Sequence, residues 1–253
     1  MNDVFLNDLS QQLADLFARR EYAAGFALGR HILQSYPRHL QTYKQMGVAA
    51  LETGLAEDAV DLLQRALSAD PEDGKIWAAL HKATTQLDLH PDAELAGTYA
   101  RDLLHPQTDS SIIARGHDAA QKHDWERAYS AYRQGFLAQP QRMDAGLGLA
   151  TALVHLRQWR LACKTVPYIL NELPYSLKAL WISIRCSSAL KKEQNLIRKR
   201  LRTASSLDPD NIYARKWFED MPWKEIRTTK AKIAAWNAEE RWDYVGSLRP
   251  PNR

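Results

Sequence analysis

This sequence has few of the marks of an enzyme, a membrane protein or a secreted one. Its 253 residues include two cysteines, Cys163 and Cys186. That is too few for a disulfide framework, and both are expected as reduced thiols in the core. No run approaches the ~18 consecutive apolar residues of a membrane-spanning helix. The opening MNDVFLNDLSQQ has early acids and no basic stretch before an apolar one. It does not read as a secretory leader, and a cytoplasmic location is expected. No long alternation of Val, Ile and Thr marks a strand. The loops GxxxxGKS/T and GxGxxG that cradle phosphates are absent, as are HExxH and GxSxG. The histidines (His31, His39, His81, His90, His105, His117, His123 and His155) are scattered, and no Cys, Asp or Glu set joins them. Neither a catalytic residue, a metal site nor a cofactor is expected, and the chain does not read as an enzyme.

What the sequence does have is a period. Pro37, Pro71, Pro106, Pro140, Pro174 and Pro209 fall at intervals of 34, 35, 34, 34 and 35 residues. Within one interval, Leu40–Pro71, a run with Tyr43, Met46 and Gly47 is broken at Gly54. A second run follows with Ala59, Leu63 and Ala66, and Pro71 closes it. Apolar residues three and four apart predict two helices joined by a tight turn. The small residues stand where those helices must touch.

This unit resembles the tetratricopeptide repeat, a 34-residue helix–turn–helix. The matches are Tyr43, Met46, Gly47, Ala59, Leu63, Ala66 and Pro71, then Trp77, Leu80, Ala93 and Ala100, with His81 at a usual Gly position. They continue with Ile112, Gly116, Ala128, Tyr132, Gly135 and Pro140, then Leu149, Ala150, Ala162, Val166 and Pro174. The last set is Trp181, Ile184, Leu201, Ala204 and Pro209, with Ile197 at a usual Ala position. The first repeat, with Gly25 and Gly29, is the most degenerate. The resemblance implies an all-α superhelix, a solenoid of about six stacked repeats with a C-terminal capping segment. The repeats fall at about 6–39, 40–73, 74–108, 109–142, 143–177 and 178–210.

Helices are expected over Asn2–Arg19, Tyr22–Ser35, Arg38–Thr53, Leu55–Ala69, Asp73–Gln86, Pro91–Leu104, Ser110–Lys122, Asp124–Gln139, Met143–Leu156, Gln158–Asn171, Leu177–Leu190 and Glu193–Ser206. Pro167, inside one of them, is expected to kink it. Capping or docking helices are expected over 211–245, carrying Trp217, Trp223, Trp236 and Trp242, before a disordered tail over 246–253.

Charge is uneven. Arg185–Lys232 carries 13 Lys and Arg against six acids, although the whole chain is only +4. Lys191, Lys192, Arg198, Lys199, Arg200 and Arg202 form its densest patch, an alternative site for nucleic acid or a ribosome. The resemblance implies that first helices line a concave groove for a peptide or partner helix. Helical spacing projects Asn7, Gln11, Gln41, Lys44, Gln45, Lys75 and Lys82 into a polar end. Ile113, His117, Leu147, Thr151, Val154, Ile182 and Cys186 project into an apolar one. Lys44 and Lys75 fall near the carboxylate-clamp positions of chaperone-binding relatives. Val48 and Ala79 stand where that clamp needs asparagines, so it is not assigned. The expected function is a protein-interaction scaffold or adaptor. A nucleic-acid-associated factor and the regulatory repeat subunit of an enzyme are the alternatives.

Overall fold

The turns show most directly how the period becomes a structure. In the computed structural model, which describes residues 6–106, 111–190 and 194–217, a residue with left-handed backbone ends the first helix of five successive pairs. These are Arg20, Gly54, Asp88, His123 and Arg157, with φ of 62°, 77°, 55°, 58° and 56°. The next residue reaches back five positions each time: Glu21 N–H to Leu16 O, Leu55 to Ala50, Leu89 to Thr84, Asp124 to Ala119 and Gln158 to Leu153, all at 2.8–3.0 Å. This closure satisfies carbonyls that the helix end leaves without partners, and it turns the chain sharply. Only Gly54 adopts that backbone without a Cβ penalty.

Among the described residues there are 13 helices and no strand. The pairs are α1 (Leu6–Ala18) with α2 (Tyr22–Ser35), α3 (Leu40–Glu52) with α4 (Ala56–Ala69), and α5 (Gly74–Gln86) with α6 (His90–Leu104). There follow α7 (Ile112–Gln121) with α8 (Trp125–Ala138), α9 (Met143–His155) with α10 (Trp159–Glu172), and α11 (Leu177–Ala189) with α12 (Gln194–Leu207). A six-residue α13 (Ile212–Trp217) comes last. The second helices α2, α4, α6, α8, α10 and α12 end just before the periodic prolines, since the residue preceding proline avoids helical backbone. α10 runs on through Pro167. The expected elements beyond Trp217, with Trp223, Trp236, Trp242 and the tail, lie outside the described residues.

Small residues let the pairs close. A Cβ on Gly47 would sit 2.8 Å from Leu63, and one on Gly116 would sit 2.7 Å from the Tyr132 ring. Tyr132 also lies against Gly148, so one aromatic ring fills the space that two glycines leave. Ala59, Ala66, Ala128 and Ala162 are buried. Each second helix packs on its own first helix and, in most pairs, on the next one as well, which is the nearest-neighbour stacking of a solenoid. Contact is looser between α5 and α7 than between α3 and α5 or α7 and α9. α9 is buried along all of Met143–Val154, and α11 along most of its length, whereas α8 and α10 keep exposed faces. The first helices are therefore the inner layer.

Candidate partner-binding surface

The inner layer is more enclosed than an open groove. The array coils until its second repeat meets its sixth. Lys178, on α11, reaches Glu72, in the loop before α5, at 2.6 Å across 106 residues of sequence. Arg38 lies over the Tyr175 ring at 5.1 Å. Tyr213 of α13 donates its hydroxyl to Gln41 Oε1 at 2.6 Å across 172 residues. The Lys44 ammonium stands 4.6 Å from the same Tyr213 ring, and the Lys178 ammonium 5.7 Å from that of Trp217.

The polar end of the expected groove is therefore partly occupied. Gln41 holds Tyr213, and Gln45 donates to Ser10 O of α1 at 3.3 Å. Lys44 is buried between Asp70 and Asp73, with Nζ–Oδ2 distances of 2.6 and 2.8 Å. Burial, the largest influence, would by itself lower its pKa, but Asp70, Tyr213 and Asp73 together outweigh it and raise it, so the ammonium stays charged. Asn7, Gln11, Lys75 and Lys82 are exposed.

The residues projected into the apolar end are inside the stack. Leu147 and Ile182 are 0% exposed, and Ile113, Val154 and Cys186 are buried with them. Thr151 donates to the Leu147 carbonyl of its own helix at 2.8 Å. The reason is the coil itself, which folds the inner faces of α9 and α11 into the core rather than leaving them to solvent.

His117 belongs to a buried polar network that links α6, α7, α8 and α9. Arg142, the residue capping α9, grips Asp144 through Nε and Nη2 at 2.9 and 2.7 Å, and Asp102 through Nη1 and Nη2 at 3.0 Å each. Its guanidinium lies 4.1 Å over the Tyr99 ring, which stacks on Trp77 at 4.2 Å. His117 Nε2 is 3.2 Å from Asp144 Oδ2, and its Nδ1 is 2.9 Å from the Tyr132 hydroxyl. The tautomer with hydrogen on Nε2 satisfies both contacts. Burial would raise the Asp144 carboxyl. The bonds from His117 and Arg142 outweigh it and hold the pKa at about 2.

In the basic patch, Arg198 and Lys199 are exposed, Arg202 is half-buried, and Arg200 donates to Ser183 Oγ of α11. Lys191 and Lys192 lie outside the described residues. Among the described residues no group of His, Cys, Asp or Glu could hold a metal ion, and no helix is long and apolar enough to cross a membrane.

The 34-residue pattern did not single out Asp70, Glu72, Asp102, Arg142, Asp144, Lys178 or Tyr213. A weaker signal was present. Arg38, Glu72 and Tyr175 each directly follow a periodic proline, so they sit in equivalent loops on one edge of the coil.

No protein-family model matches the chain, and no curated protein matches it. Several solved structures share the architecture at low identity. PilF of Pseudomonas aeruginosa is 13% identical over 85% of this chain and 97% of its own, with a TM-score of 0.39. The tetratricopeptide domain of P58(IPK) is 14% identical over 93% and 67%, with a TM-score of 0.39. YrrB, described as a tetratricopeptide protein with an unusual peptide-binding site, is 11% identical over 74% and 97%, with a TM-score of 0.37. The likeness is one of repeat architecture. The fold of this chain, a tetratricopeptide-like all-α solenoid, follows from its own helix pairs.

Proposed function

We propose that the chain is a non-enzymatic interaction scaffold holding a peptide or short partner helix on the inner face of its repeats. One observation carries this reading: a helical segment, α13, is seated there, its Tyr213 hydroxyl on Gln41 and its ring under the Lys44 ammonium. Amide and ammonium groups that grip an aromatic hydroxyl side chain in cis have the chemistry to grip one in trans. Lys75 and Lys82, both exposed, extend this end toward a ligand with acidic groups. Gln45 completes the polar lining. Contact with Ile113, His117, Leu147, Thr151 or Ile182 would require the coil to open.

A second reading has its own observation. α12 carries Arg198, Lys199, Arg200 and Arg202 and no acid over Gln194–Leu207, a surface suited to a polyanion such as RNA.

The test is affinity capture on the purified chain at 50 and 200 mM salt, with and without nuclease, using wild type and a Lys75→Glu/Lys82→Glu variant. A protein partner retained at both salts, insensitive to nuclease and weakened by the reversal, is expected. Capture that vanishes with nuclease, or that falls roughly forty-fold with salt as about four single-strand phosphate contacts require, would overturn the scaffold reading in favour of nucleic acid.

A further inference from the structure

α13 begins three residues after its periodic proline, as α3, α5, α9 and α11 do, but its entry has a different backbone. The caps of the five preceding inner helices have negative φ: His39 −64°, Asp73 −81°, Ser111 −52°, Arg142 −77° and Ser176 −58°. The residue before α13, Asn211, has φ of +55°, a left-handed backbone that Asn tolerates better than most residues. That backbone marks the place where a seventh repeat would begin. α13 packs on α11, its neighbour in the stack, and its aromatic side chains reach the opposite end of the coil. Tyr213 and Trp217, four residues apart, share one helix face and meet Gln41, Lys44 and Lys178, while Ile212 is exposed on another. Asp208 fixes the departure by accepting the Ile212, Tyr213 and Ala214 N–H groups.

We propose that α13 is a built-in competitor for the inner-face site. An external helical segment with a tyrosine and a second aromatic four residues later binds Gln41, Lys44 and Lys178 only after α13 leaves them. This rests on the inner-face reading above and adds its regulation. The repeats themselves are held by extensive helix–helix contacts. α13 is only six residues long; Ala214 alone is fully buried, Tyr213 and Trp217 pack partly buried against the core, and its side-chain hold on the inner face is one hydroxyl bond and two cation–ring contacts, so among the described helices it is the one that can come away without loss of the stack.

The probe is a fluorescein-labelled peptide with the sequence of residues 208–217, DPDNIYARKW. It is titrated by anisotropy against the full chain as wild type and as Tyr213→Ala/Trp217→Ala, with helicity checked by circular dichroism. The double variant is expected to bind about tenfold tighter than wild type or better, and adding Gln41→Ala is expected to reverse the gain. Absence of binding to the double variant overturns the proposal. Equal binding by both chains, lost with Gln41→Ala in each, removes the competition but leaves the inner-face site. Binding that ignores Gln41 removes the site itself. Wild type alone supplies a second measurement, in case the double variant does not fold. Excess unlabelled peptide is expected to speed hydrogen exchange at 212–217, and unchanged protection there, under conditions where the peptide binds, overturns the proposal.

Discussion

Replacing Arg142 with methionine keeps much of its apolar bulk but removes the guanidinium that joins Asp102 to Asp144. Both carboxylates are then left in the interior, 6% and 0% exposed, without their cation. Removing one partner of a buried ion pair costs about 3–5 kcal/mol, mostly as the penalty on the charge left behind. For a chain of this length each kcal/mol lowers Tm by about 2–4 °C, so a fall of roughly 6–20 °C is expected. The loss should depend on pH. In wild type the Asp144 pKa is held at about 2 against an ordinary 3.8. Its contribution is complete above the ordinary value and disappears as pH falls from 3.8 toward 2, roughly 2–3 kcal/mol in all. The gap between wild type and variant should therefore narrow on acidification. A triple change, Arg142→Met with Asp102→Asn and Asp144→Asn, removes the charges together and should regain part of the loss. Urea unfolding at pH 7 and pH 3 measures all three chains. A deficit below about 1 kcal/mol at pH 7, or a triple variant no more stable than the single one, would refute the account of the network as a buried charge balance.

The left-handed turns supply a graded series: Arg157→Gly relieves a Cβ penalty and should gain about 0.5–1 kcal/mol, whereas Gly54→Ala, whose Cβ would meet nothing within 4 Å, should lose about 1 kcal/mol through backbone alone. Thermal unfolding that moves both in the same direction would contradict this. Ala128→Leu should cost about 1–3 kcal/mol by overpacking a fully buried contact; an unchanged melting temperature would count against the helix packing described. Burial lowers the His39 pKa to about 4 from 6.5. The stability its neutral form contributes is complete above pH 6.5 and falls toward pH 4 by about 1.4 kcal/mol per unit, so His39→Gln should be flatter than wild type over that window. Asp208, raised to about 6 by burial, works the other way below pH 6 in both chains and cancels from the comparison.

The repeat register was legible because it is local. Tyr22–Ser35 falls where the apolar spacing put it, and Ser110–Lys122 shortens only to Ile112–Gln121, since Ser111 takes the cap by accepting from Ala114 N–H. Pro167 was expected to kink a helix, and α10 runs on through it. It forgoes one hydrogen bond inside the helix, at an exposed position. The inner face was less legible. Helical projection assigned Leu147 and Ile182 to a groove surface, whereas both are fully buried; spacing alone could not say what their face meets. The answer depends on the coil, and the coil is the sum of small rotations at each repeat interface. A 34-residue pattern specifies each neighbour and leaves the partners of Gln41, Glu72 and Arg38 unspecified.

Those rotations have two kinds of determinant here. Contacts such as Gly47 on Leu63 or Ala128 against its neighbours are apolar and non-directional, so they set how closely helices approach more firmly than their angle. The ionic contacts are directional. An arginine fork satisfies two carboxylates only within a narrow range of orientations, and Arg142 does so across α6 and α9, bridging the loose α5–α7 step. Lys178 on Glu72 fixes the orientation of the second repeat relative to the last, and Lys44 between Asp70 and Asp73 holds the loop that carries Glu72. Apolar packing therefore builds the stack, and the buried charges select its curvature. Curvature in turn decides whether the inner face is core or surface. A change that loosens Lys178–Glu72 alone would leave every helix pair intact while opening the contact between the second repeat and the sixth, which separates the stability of this solenoid from the closure of its coil.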